Sequence, residues 1–104
     1  MGRNKTIIYP QVLKHLEDLG WRIKLARLRR KLSVATVAER AKVSRSSVWE
    51  VEKGSPSVAI GIYLNVFMAI GMAGELDRVL ADDPLGRLMQ DSDLPTRERR
   101  NRGE

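Results

Sequence analysis

The stretch Leu32–Gly54, LSVATVAERAKVSRSSVWEVEKG, does most to limit how this chain can fold. Its apolar spacing predicts two short helices joined by a tight turn. The first is Val34–Ala41, with Val37, Ala38 and Ala41 apolar at i, i+1 and i+4. The second is Arg45–Lys53, with Val48 and Val51 inward and polar side chains elsewhere. Between them lies Lys42-Val43-Ser44, where Val43 can plug the angle and Ser44 is a natural N-cap. Small Ala38 would let the two helices cross closely. A compact pair with a polar, basic-leaning second helix is what a helix-turn-helix needs in order to read DNA.

Charge placement supports that reading. The net charge is +6, and residues 21–53 hold ten Lys or Arg against Glu39, Glu50 and Glu52 alone. Residues 74–93 are acidic instead, and the closing RERRNRGE turns basic again. The positive field thus coincides with the helix pair and the helix before it, as a polyanion binder requires.

Length and composition bound the rest. With 104 residues, 42% of them hydrophobic and only 5% aromatic, one small domain with extensions is expected, its core built from Leu, Ile, Val and Ala. The chain contains no cysteine, which removes disulfides and Cys zinc sites and fits a reducing compartment. No apolar run is long enough to span a membrane, and the opening MGRNKTIIYP lacks the apolar stretch of a signal peptide; a cytoplasmic location is expected. With one isolated histidine, His15, and no Gly-rich phosphate loop, no catalytic residue, metal or cofactor is expected, and an enzyme is disfavoured.

Taken in order, residues 1–9 read as an N-terminal arm, whose β-prone Thr6-Ile7-Ile8-Tyr9 run could add a strand to a partner but is expected rather to pack on the core. Pro10 suits a first helical position, and Gln11 to about Lys31 is helical in pattern, with Gly20 a point of kinking or splitting. After the helix pair, Gly54 fits a left-handed C-terminal cap. Ser57 can cap a fourth helix, Val58–Ile70, whose stripe Ile60, Tyr63, Leu64, Phe67 and Ile70, with Met68 or Val66 beside them, forms the main core face. A fifth helix, Ala73–Ala81, is defined by Leu76, Val79 and Leu80. Asp83 then caps a short helix begun by Pro84, over residues 83–91, and residues 92–104 read as a disordered basic tail. The expectation is an all-α, five-helix bundle over residues 10–82 with its motif at 33–53, followed by the short helix and tail.

This ordering resembles the xenobiotic-response-element family of transcriptional regulators, which shares its fold with the phage Cro and lambda-type repressors. Arg27, Ala38, Val43-Ser44, Val48, Val51, Glu52 and Gly54 match the family's pattern. The resemblance implies an ion pair between Arg27 and Glu52, since two partly buried charges on neighbouring helices need each other. Two positions depart from the pattern. Val34 stands where the family often has a phosphate-contacting Gln, and Lys42 stands where it usually has Gly, implying a left-handed or strained backbone. The strings LARLRRKLS, VAERA, GSPSV and DDPLGRLMQD, with the arginine-rich tail, are similar to the HipB-like branch of antitoxins, which partner a HipA-like kinase toxin and repress their shared operon.

The candidate contacts sort into two sets. Ser44, Arg45, Ser46, Trp49 and Glu50 are candidates for base edges, Arg45 first because a guanidinium can meet guanine O6 and N7 together. For Trp49, packing on the fourth helix is as good a reading as contact with DNA. Lys42, Ser47, Lys53 and Ser55 are candidates for phosphates. The function expected is a dimeric autorepressor on a palindromic operator in double-stranded DNA, acting as HipB-like antitoxin to a HipA-like toxin. Two other readings stay open: a stand-alone repressor with no toxin, and a protein-interaction module that docks through its acidic region.

Overall fold

A computed structural model describes residues 6–92 and is all-helical there. Five α-helices follow in order: α1 (Pro10–Arg29), α2 (Val34–Ala41), α3 (Arg45–Glu52), α4 (Ile60–Ala69) and α5 (Pro84–Ser92). A 3-10 segment, Ala73–Arg78, lies between α4 and α5. The start of the arm and the arginine-rich tail lie outside the described residues.

The core is made of small and β-branched side chains. Val37, Val48, Val51 and Val66 are fully buried, with Ala38, Ala41, Ala69, Ile23 and Ile70 around them. α1 packs along α3, and α2 packs against both α3 and α4. No leucine belongs to this buried set; Leu19 and Leu32 pack on its margin. Short side chains let the axes approach closely, which suits helices of only two turns.

Gly20 does not break α1, which runs unbroken for 20 residues. Gly20 is buried instead, at the point where α1 lies on the end of α3. A Cβ there would sit 2.6 Å from the Glu52 carbonyl oxygen and the Gly54 nitrogen, and 2.7 Å from the Val51 carbonyl oxygen. Gly54 faces the backbone of Leu16 and Glu17 just as tightly. Two glycines therefore set the α1–α3 spacing.

α1, α2, α3 and α4 end in the same way, each with a left-handed residue: Lys31 (φ 55), Lys42 (φ 60), Gly54 (φ 76) and Gly71 (φ 82). After α3, Gly54 N–H donates to the Val51 carbonyl and Ser55 N–H to that of Glu50. After α2, Lys42 N–H donates to Glu39 and Val43 N–H to Ala38. These paired bonds satisfy carbonyls that the helix leaves open and stop each helix sharply.

Four expectations need correction. In the Thr6–Tyr9 run, Ile7 and Tyr9 are 86% and 69% exposed rather than packed on the core. The fourth helix starts at Ile60 with Ala59 as N-cap; Ser57 is engaged by Ser55, whose Oγ accepts from Ser57 N–H. Its inward face is Tyr63, Val66, Ala69 and the adjoining Ile70, whereas Ile60 is 68% exposed. Ile60–Ala69 is apolar nearly all round, so its sequence holds no polar face from which to set the phase. The fifth helix is the short 3-10 segment, and beyond it Val79 is extended and Leu80 left-handed (φ 62), so an α-helix to Ala81 is interrupted.

Candidate nucleic-acid interface

The valines of α3 fix which side chains face outward. Val48 and Val51 are fully buried against α2 and α1, which turns Arg45, Ser46 and Trp49 to the opposite, exposed side. Ser44 starts the helix: its Oγ accepts the Ser47 N–H at 3.0 Å and lies 3.0 Å from Ser47 Oγ. Ser44 is exposed while Ser47 is half-buried under it. The helix start thus retains backbone N–H groups and the positive end of its dipole beside Arg45.

Arg45 makes no side-chain hydrogen bond or ion pair with another described residue and is free to reach outward. Trp49, one helical turn further on, is 52% exposed, so its ring is not part of the core. Glu50 is half-buried and pairs with Lys53, whose Nζ lies 3.7 Å from Oε2. Lys53, a phosphate candidate, is thereby held near the exit of α3. Glu50 also stands close enough to Tyr63 to add to the rise of that phenol's pKa, whose larger cause is burial.

The remaining phosphate candidates lie at the turns flanking α3. Lys42 is exposed at the left-handed end of α2. Ser55 is half-buried in the loop after Gly54, and its carbonyl accepts the Tyr63 hydroxyl at 2.7 Å, which pins the loop to α4. Arg27 and Glu52 stand apart from this surface. Arg27 Nε donates to Glu52 Oε2 at 2.6 Å, Nη2 to Oε1 at 3.1 Å, and Nη1 to the Leu32 carbonyl at 3.0 Å. The two side chains are 10% and 7% exposed, so this bidentate pair is structural and ties α1, the α1–α2 turn and α3 together.

Some supports of this surface have no counterpart in the sequence reading. Ser33 caps α2, its Oγ accepting the Thr36 N–H at 3.0 Å. The Ser-x-x-Thr spacing before Val37 was the signal available for it. Asn65 on α4 donates to the Ala41 carbonyl at 3.2 Å, closing the end of α2. That bond crosses 24 residues, and nothing local in the sequence marks it.

Two short helices at a capped, sharply stopped turn, with an exposed arginine and tryptophan on the second, define a helix-turn-helix DNA-binding protein. A family model described as a helix-turn-helix domain matches residues 18–78, more than half of the chain, and the chain belongs to that family. Curated proteins give no match to it. The matched region ends with the 3-10 segment, so α5 lies beyond it. Among the described residues, no helix is long and apolar enough to cross a membrane.

Proposed function

We propose that this protein is a sequence-specific repressor that binds a palindromic operator as a two-fold dimer, with α3 of each copy in the major groove. The observation that carries the reading is the exposed row Arg45, Ser46 and Trp49 at the start of a capped helix, its arginine uncommitted within the described chain. Arg45 reads a guanine, Trp49 meets a thymine methyl or a sugar, and Ser44 and Ser46 supply short adaptable hydrogen bonds. Glu50 acts by holding Lys53, and Lys42, Ser47, Lys53 and Ser55 anchor phosphates. Two copies with half-sites about 34–36 Å apart supply the affinity that one small footprint lacks.

The antitoxin reading rests on the strings shared with the HipB-like branch: the protein represses its own operon and holds a HipA-like kinase toxin. Co-purification with the product of a neighbouring kinase-like gene tests that part separately.

Selection of genomic fragments on the purified protein is expected to enrich one palindromic motif; no enriched motif overturns the repressor reading. Arg45→Ala is then expected to cost about 1–3 kcal/mol on the selected site and to relax preference at one base pair. Equal weakening on selected and random DNA would make Arg45 a phosphate contact only.

A further inference from the structure

Helix α5 leaves its apolar face open. Leu85, Leu88 and Met89 fall on one side at i, i+3 and i+4, and are 67%, 67% and 52% exposed. A helix of nine residues does not hold in water on propensity alone, because helices below about 12–15 residues are marginal without packing. Its cap, Asp83 Oδ1 accepting Gly86 N–H at 2.9 Å, and Pro84 at its first position define where it starts but do not bury its face.

The bundle carries an apolar groove to match. It lies between α1, the end of α4 and the 3-10 segment, encloses about 700 Å³, and has Phe67, Met72, Leu76 and Val79 among its walls. Arg22 and Arg29 on its rim are exposed and have no ion pair among the described residues. The acid on that rim, Glu75, is taken by Arg78 at 2.9 Å. The α5 segment has the opposite sign: Arg87 is taken by Asp82 at 3.1 Å, and the carboxylates of Asp83, which caps the helix, and Asp91 keep the segment net negative. Groove and helix are thus complementary in both hydrophobicity and charge.

The same chain does not bring the two together. Val79 is itself a wall of the groove, and the next residue, Leu80, is left-handed and 89% exposed. The chain would have to reverse within Leu80–Asp83 to lay α5 in its own groove. We propose that the groove is filled by α5 of a second copy, and reciprocally, so that the dimer is held by exchanged C-terminal helices. This rests on the dimer in the proposed function and specifies how it forms; α5 lies outside the matched helix-turn-helix region.

Two double variants test it by sedimentation equilibrium of the full chain. Leu85→Glu with Leu88→Glu spoils the helix, and Leu76→Glu with Val79→Glu spoils the groove. All four residues are exposed in the single chain, so each variant is expected to keep the helical circular dichroism spectrum of the parent, its unfolding midpoint falling only by the loss of association. The parent is expected to sediment as a dimer and each variant to associate at least about tenfold more weakly. An equimolar mixture is expected to recover association, because one intact helix then meets one intact groove. If the groove variant stays dimeric, or the mixture recovers nothing, the exchange is wrong while the dimer stands. A parent that sediments as a single 11.8 kDa chain overturns both.

Discussion

Arg27 on α1 and Glu52 at the end of α3 face each other edge to edge, with Nε 2.6 Å from Oε2 and Nη2 3.1 Å from Oε1. Gly20, Ile23 and Arg27 share the buried face of α1, so the ion pair lies two turns from the glycine contact at the same interface. α3 is therefore held against α1 by a close backbone approach and a desolvated charge pair. Neither reaches the exposed side of α3, yet both set where Arg45 and Trp49 stand.

Removing one charge leaves the other buried without a partner. Glu52→Ala is expected to destabilise the fold by about 3–5 kcal/mol, read as a lower midpoint in thermal or urea unfolding. The double change Arg27→Met with Glu52→Leu is expected to cost less than Glu52→Ala alone, because no charge is stranded. Unchanged stability in Glu52→Ala would show that the pair does not hold the helices.

Alanine for glycine inside a helix ordinarily stabilises by roughly 0.5–1 kcal/mol. At Gly20 the sign is expected to reverse. The added Cβ meets backbone atoms of Val51, Glu52 and Gly54, which have no side-chain freedom to yield. Gly20→Ala is expected to cost about 1–3 kcal/mol in urea unfolding and to weaken operator binding through displacement of α3.

How much of this was legible follows from where the information sits. Val37, Ala38, Ala41, Val48 and Val51 occur in a stretch whose polar and apolar residues alternate with helical period, so the elements and inward faces of α2 and α3 could be read directly. Once Val48 and Val51 are inside, the outward positions of Arg45, Ser46 and Trp49 follow. α4 gave no such handle, since its residues are apolar nearly all round and only packing against its neighbours selects Tyr63, Val66 and Ala69. The left-handed Lys31 and Leu80 carry no signature at all, because glycine is the residue that normally announces such backbone. Asn65, whose bond closes α2 from α4, becomes visible only when distant segments meet.

Lys42 separates stability from DNA binding. It holds left-handed backbone (φ 60, ψ 41) that a residue with a Cβ adopts only at some cost. Lys42→Gly is expected to stabilise the fold by up to about 1 kcal/mol by relieving that backbone. If Lys42 meets a phosphate, the same variant binds all DNA sequences more weakly, and the salt slope of binding falls by about 1. A more stable variant with an unchanged salt slope would remove Lys42 from the interface.

Tyr63 links the loop after α3 to pH. Its hydroxyl donates to the Ser55 carbonyl at 2.7 Å, and burial, followed by the nearby Glu50 carboxylate, raises its pKa above the ordinary 10.0. The folded state therefore favours the neutral phenol more than the unfolded chain does. The associated stability is fully present below pH 10 and is lost as pH rises through the folded-state pKa. Tyr63→Phe is expected to cost about 0.5–1.5 kcal/mol at neutral pH, the worth of one hydrogen bond. The gap between parent and variant, followed by chemical unfolding from pH 8 upward, is expected to close above pH 10 as the parent loses its advantage. No gap at any pH in that range would mean that the tyrosine contributes by packing and not through its hydroxyl.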